Sequence, residues 1–203
     1  MATLQGNSGQ TSKQVGQFLT VGFGETSDVM VTELQARYYE NTYRGQKFSA
    51  MFTAAALAAA AAASSFVLVN PVSSGKNLVL IDALIAAQIV TVETTTSTDV
   101  MLGAVLAGAL GTVGTAVVIN GCLISGSSGS VAKAYATATL NGVPVNIRRL
   151  AAFSAQVSAA SIHDDIAGAV IVPPGYAIAL YAVMGTPADV SIGPVLTWDE
   201  VAI

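Results

Sequence analysis

The residues able to do acid–base, nucleophilic or metal chemistry are few and scattered. His163 is the single histidine and Cys122 the single cysteine of the 203-residue chain. The run Ser161-Ile162-His163-Asp164-Asp165 sets an imidazole beside two carboxylates. A serine hydrolase would place its nucleophile on a strand–helix elbow of the form Gly-x-Ser-x-Gly, and the chain has none. His163 with Asp164 and Asp165 could hold a divalent ion, but the spacing is not that of a calcium loop. One histidine per chain would close a metal site only through symmetry. Adjacent residues of a strand point to opposite faces, which argues against Asp164 and Asp165 acting as one glycosidase pair. Cys122, between Gly121 and Leu123, reads as a small buried apolar residue, and burial makes a thiol inert. Ser74-Gly75-Lys76-Asn77 fails as a phosphate loop: Asn70 stands where the first glycine belongs, and Asn77 where a hydroxyl would hold magnesium. Trp198 beside Asp199-Glu200 is the one aromatic-plus-acid grouping a glycan site would use; its structural alternative is to close the last strand. The expectation is a protein that is not an enzyme, with no catalytic, cofactor-binding or metal-ligating residues.

Composition points instead to surfaces. The chain is 53% hydrophobic and only 10% charged, against about 25% charged in ordinary globular chains. A lone molecule with so few charges has difficulty keeping its surface wet, so much of that surface should be covered by other subunits. Seven charged residues crowd between Glu25 and Lys47, whereas from Met101 to Ile147 the only charge is Lys133. That long stretch, rich in Ala, Gly, Thr and Ser, should be buried in its own core or against copies of itself, unless its hydroxyls and amides keep it soluble. The net charge of −4 disfavours broad binding to nucleic acid. Arg148-Arg149, the one adjacent basic pair, reads as a solvated strand end or an inter-subunit ion pair. A single cysteine allows no intrachain disulfide, which fits assembly in a reducing bacterial cytoplasm. Phe48 to Val69 is long enough to cross a membrane, but Ala54 to Ala63 is nearly all alanine and no basic cluster sets an orientation, so no membrane span is expected.

These surfaces must be carried by particular elements. Met1 to Gln17 is rich in Gly, Ser, Gln and Thr and reads as an arm or a frayed terminus. Phe18 to Phe23 suits a short strand. Ser27 to Arg44 divides evenly between helix and strand: Glu33/Arg37 and Glu40/Arg44 are helical i,i+4 pairs with Gly45 as cap, while Val29, Val31 and the tyrosines favour extension. Ala54 to Ala63 has high helix propensity. From Phe66 onward short apolar runs alternate with turn residues, and Asn141-Gly142 signals a hairpin. The Ser161–Asp165 run reads as a loop. Many short strands at near-regular spacing imply a sandwich or jelly roll. Two domains are expected: an arm and attachment segment over residues 1–63, and a β domain over residues 64–203. The fold class is mainly β, a jelly-roll-like antiparallel β-sandwich with an extended N-terminal arm and room for one short Ala-rich helix.

Three stretches carry a resemblance. They are Phe66 to Gln88, where an apolar strand ending in Asn70-Pro71 passes through Gly75-Lys76-Asn77 into a second apolar strand; Arg37 to Phe48 (RYYENTYRGQKF); and Leu196 to Ile203 (LTWDEVAI). In order and spacing the chain resembles structural proteins of tailed-bacteriophage virions, over about a third of its length. The resemblance implies a capsid cement or decoration protein that binds and stabilises the assembled shell. Tail, neck or fibre-base protein, or a host-receptor-binding module, are the alternatives. It implies a virion location after assembly in the bacterial host cytoplasm, with the major capsid protein or other virion proteins as partners. An apolar, small-residue face further suggests a homotrimer. Tyr38, Tyr39, Tyr43, Arg44 and Phe48 are the expected attachment residues, since tyrosine offers large contact area at low entropy cost. Packing of these aromatics against the β domain is the competing reading.

Overall fold

A computed structural model describes residues 5–7, 18–20, 38–52, 55–56, 63–89, 97–124, 129–154, 159–184 and 190–203. The chain divides into two units, Met1–Tyr43 and Arg44–Ile203. In the first, β1 (Gln5–Asn7) pairs antiparallel with β2 (Phe18–Thr20), Gly6 facing Leu19. The first unit also holds α1 (Tyr39–Tyr43), a single turn in which the Thr42 N–H donates to the Tyr38 carbonyl at 3.0 Å. Gly45 then takes φ +67°, the left-handed conformation expected of a helix cap.

The second unit is built from strands. These are β3 (Lys47–Met51), β4 (Ala55–Ala56), β5 (Ala63–Val69), β6 (Lys76–Ile89), β7 (Ser97–Leu106), β8 (Leu110–Val113), β9 (Ala116–Val117), β10 (Ile119–Gly121), β11 (Lys133–Leu140), β12 (Val145–Ser154), β13 (Ala159–Val172), β14 (Tyr176–Met184) and β15 (Val190–Ala202). A 3-10 turn, Ala107–Ala109, joins β7 to β8. One sheet has the order β10-β3-β15-β6-β13, with β4 also on β15; the other has the order β12-β7-β14-β5-β11-β8, with β9 also on β11. All the pairings are antiparallel. Take β3, β5, β6, β7, β12, β13, β14 and β15 as strands one to eight. One sheet then runs one-eight-three-six and the other five-four-seven-two, which is the jelly-roll order of two interlocked Greek keys. Strands β8 to β11 are an insertion between the fourth and fifth framework strands, and they extend both sheets on the same side.

Period-two alternation fills the space between the sheets. Phe66 and Leu68 of β5, Leu102 of β7, Ile178 and Leu180 of β14, and Phe48, Leu80, Leu196 and Trp198 of the opposite sheet form one buried cluster. β6 keeps its apolar side inward across a bulge at Ile81. Leu78 and Leu80 point in before it, Ala83 and Ile85 after it, and Trp198 faces Leu80 while Thr197 faces Asp82. A second, smaller core lies on the other face of the β14 sheet, where Val67, Val69, Ala177, Ala179 and Tyr181 pack with Ala138 and Leu140 of the insertion. Part of the charge-poor stretch is thus buried in its own chain.

Several expectations change. The sandwich begins with β3, upstream of the expected boundary at residue 64, because β3 pairs with β15 from Lys47↔Asp199 to Met51↔Val195. Ala55–Ala56 is strand β4 on β15 rather than part of an Ala-rich helix, and Ala63 already starts β5; residues 57–62 lie outside the described residues. Ladder pairing here outweighs alanine's helix propensity. Ser161–Asp165 is strand, in register with β6 from Ser161↔Ala86 to Asp165↔Asp82. Asn141-Gly142 joins β11 to β12 without forming a hairpin, since β12 pairs with β7 and β11 with β5. The local turn signal is overridden by the Greek-key path.

Candidate docking surface

Each of the three stretches that carry the resemblance reaches the same sheet: Phe66 to Gln88 holds most of β5 and, in that sheet, β6; Arg37 to Phe48 holds α1 and the start of β3; Leu196 to Ile203 holds the end of β15. β15 lies between β3 and β6, with Trp198 opposite Phe48 on one side and Leu80 on the other. At their common end the chain is tied by polar groups. Asn70, wholly buried, donates from Nδ2 to the carbonyls of Lys76 and Val172, both at 2.8 Å. Its N–H donates to the Tyr176 carbonyl and its own carbonyl accepts from Gly175. Asn70 thereby joins the Asn-Pro loop to the Pro173-Pro174-Gly175 turn, where Gly175 adopts φ +85°. Glu200 is also wholly buried. It accepts from Lys76 Nζ at 3.0 Å, from the Ser130 hydroxyl, and from the Val131 N–H at 3.0 Å. A buried carboxylate needs such partners, and Lys76 brings the compensating charge. The Gly75-Lys76-Asn77 connector therefore has a structural task.

The chemical candidates separate in space. His163 and Asp165 are exposed on one face of β13, while Asp164 is half-buried and accepts from Arg148 Nη2 at 2.9 Å. Arg149 pairs with Asp99 of the neighbouring β7. The Arg148-Arg149 pair thus finds its carboxylates within the chain. Cys122 is half-buried; burial pushes its thiol pKa up, Lys47 opposes that, and Asp199 and Asp82 add to it. Trp198 is wholly buried and stacks with Phe48 at 6.3 Å, so it is no open platform for a sugar ring. Among the described residues no group of three or more His, Cys, Asp and Glu side chains is placed to hold a metal ion. No helix among them is long and apolar enough to cross a membrane; Phe48 to Val69 instead holds β3, β4 and β5.

The expected attachment residues do not form one set. Tyr39 and Tyr43 are exposed and stack nearly parallel, ring centroids 5.8 Å apart, because a single helical turn aligns positions four apart. Tyr38 is half-buried and Arg44 exposed. Phe48 is 1% exposed and belongs to the core, so it offers no surface to a partner. Alternation explains it: Phe48 and Ala50 of β3 point inward while Met51 is exposed. Further exposed apolar side chains lie on the insertion and its flanks, where Leu106, Val118, Ile124, Val143 and Val145 are all more than half exposed. Leu106, Val143 and Val145 rim a hollow of about 190 Å³ floored by Val105 and Leu140. A larger hollow, about 370 Å³, opens between β10 and β11. The signal for this surface in the sequence was the near absence of charge from Met101 to Ile147; composition alone did not separate its buried half from its open half. No family model, curated protein or solved structure matches the chain.

Proposed function

We propose that the chain is a structural component of a phage particle, a capsid cement or decoration protein that binds the assembled shell as a homotrimer. The observation that supports this reading most is the number of exposed apolar side chains on the charge-poor insertion and its flanks, Leu106, Val118, Ile124, Val143 and Val145, on an otherwise well-packed jelly roll. A protein that binds the assembled lattice and not its free subunits stabilises the lattice by mass action. In this reading the β sandwich makes the trimer, while the first unit, with the Tyr39–Tyr43 stack, grips the shell. Tyr38 and Arg44 flank that stack in sequence and share its task. The location is then the virion, after assembly in the host cytoplasm.

The test is cross-linking and quantitative mass spectrometry on intact particles, with Tyr39→Ala/Tyr43→Ala compared with the unaltered chain. Carboxylate-reactive reagents are required, because lysines are few. The expected result is abundance comparable to the shell protein, cross-links to it, and lower occupancy for the double variant with unchanged folding. Absence from particles, or a few copies linked only to portal or tail proteins, overturns the cement reading.

A further inference from the structure

The sandwich guards its strand edges on one flank and leaves an edge bare on the other. On the guarded flank β12 and β13 are the outer strands of the two sheets, and Arg148 of one bridges to Asp164 of the other. Native sheets protect such edges with charge, bulges or proline, because an open edge offers its N–H and carbonyl groups to any other strand. β12 carries Arg148, Arg149 and two register shifts. β13 carries His163, Asp164 and Asp165, and Ala167 and Gly168 take positive φ where its register to β6 breaks.

The insertion forms the other flank, and its edge has no such guard. β8 and β9 run in succession along β11, their one partner strand among the described residues. A single register shift falls between Leu110 and Val113. Beyond it Val113 stands opposite Ala138, the Ala136 N–H donates to the Thr115 carbonyl at 2.9 Å, and Ala116 and Val117 stand opposite Tyr135 and Ala134. From Leu110 to Val117 there is no charge and no proline. Val113, Gly114, Thr115 and Ala116 are all exposed. Because the Thr115 carbonyl is directed at β11, alternation turns the N–H and carbonyl groups of Gly114 and Ala116 toward the free side.

The order of residues along this edge fits a second copy of itself. Val113-Gly114-Thr115-Ala116-Val117 reads nearly the same from either end. Laid antiparallel on itself about Thr115, it sets Val113 against Val117, Gly114 against Ala116, and Thr115 against Thr115. Each match joins residues of one kind, and a Thr–Thr pair is among the favourable cross-strand pairs. The edge has no charge with which to repel its own copy. We propose that this edge pairs with the same edge of a second copy across a two-fold axis. Thr115 lies on the axis, and Gly114 and Ala116 of opposite chains exchange backbone hydrogen bonds, so that the β14 sheet continues through both molecules. The contact goes beyond the trimer proposed above. A two-fold cannot build a trimer, so it joins copies that belong to different trimers.

The test is sedimentation velocity on the purified full chain, unaltered, as Thr115→Lys, as Thr115→Glu, and as an equimolar mixture of the two variants, with circular dichroism to verify folding. The unaltered chain should sediment as an even-numbered species. Each variant alone sets like charges face to face on the axis and should weaken the contact by about tenfold or more, whereas the mixture should recover it as a one-to-one pair. Amide hydrogen exchange on the unaltered chain gives a measurement free of substitution: Gly114 and Ala116 should exchange slowly in the associated species and faster on dilution. An unaltered chain that stays monomeric or stops at a trimer, variants that associate as the unaltered chain does, a mixture no stronger than either variant, or exchange at Gly114 and Ala116 that ignores dilution would each overturn the proposal. Particle occupancy separates it from the shell reading. A trimer that decorates particles and is indifferent to Thr115→Lys overturns the edge contact and leaves the cement reading; an even-numbered species absent from particles does the reverse.

Discussion

The polar knot at the loop end of the sandwich and the insertion on its flank handle buried and exposed groups in opposite ways. At the knot, two fully buried polar side chains, Asn70 and Glu200, tie together the loop after β5, the Pro-Pro-Gly turn, the start of β6 and the segment entering β11. At the insertion, Val118 and Ile124 stand in solvent, and Lys133, which has no carboxylate partner among the described residues, edges an apolar hollow. The first region satisfies the Glu200 carboxylate and the Asn70 amide N–H groups within the chain, leaving Asn70 Oδ1, among the described residues, as the buried atom there without a hydrogen-bond partner. The second leaves apolar area and charge to be completed by something else. The difference teaches where folding free energy ends and association free energy begins in a chain with so little charge.

That comparison can be broken by substitution. Glu200→Ala should have the largest effect. It strands the Ser130 hydroxyl and the Val131 N–H and removes the partner of Lys76, so urea unfolding should show a loss of about 3 kcal/mol. A loss under about 1 kcal/mol would mean the knot is ornamental. Tyr181 tests the second core. Burial raises its phenol pKa, and its hydroxyl lacks a hydrogen-bond partner among the described residues. A raised folded pKa gives stability that is complete below the unfolded value of about 10 and is lost as pH rises through the folded one. Tyr181→Phe should therefore match or exceed the unaltered chain by up to about 1 kcal/mol at neutral pH, and its advantage should widen above about pH 10. Thermal melts across that range provide the measurement. Val118→Ser should have the smallest effect on folding, within about 0.5 kcal/mol, since Val118 is 73% exposed. A larger loss would show that the insertion surface already packs within its own chain.

Much of the framework could be read before the structure. The apolar runs of Phe66–Val69, Val100–Leu106 and Ala177–Met184 fall inside β5, β7 and β14, because strands covered on both faces read as continuous apolar runs, alternate residues of β5 and β14 entering the two cores. Other readings failed for reasons that local sequence cannot hold. The Ser161–Asp165 run looks like a loop, yet β6 supplies a ladder for every one of its residues. Asn141-Gly142 favours a hairpin, yet both flanking strands have better partners elsewhere in the sheet. Phe48 looks like part of an exposed aromatic cluster with Tyr39 and Tyr43, and only the register of β3 against β15 turns it inward. Of the candidate docking surface, the stacked tyrosines followed from four-residue spacing, while the hollow beside Lys133 required residues from β9, β10 and β11 to meet.

The sequence by itself determined a β protein with an inward apolar face on each long strand, and a middle stretch almost without charge. Both follow from residue type and spacing, which set burial preference before any fold is chosen. Only the tertiary structure decided the strand order, the enclosure of Glu200 and Asn70, and which half of the charge-poor stretch is covered. Those depend on partners far apart in the chain, and the free energy of a buried polar group or an exposed apolar one is fixed by what stands opposite it.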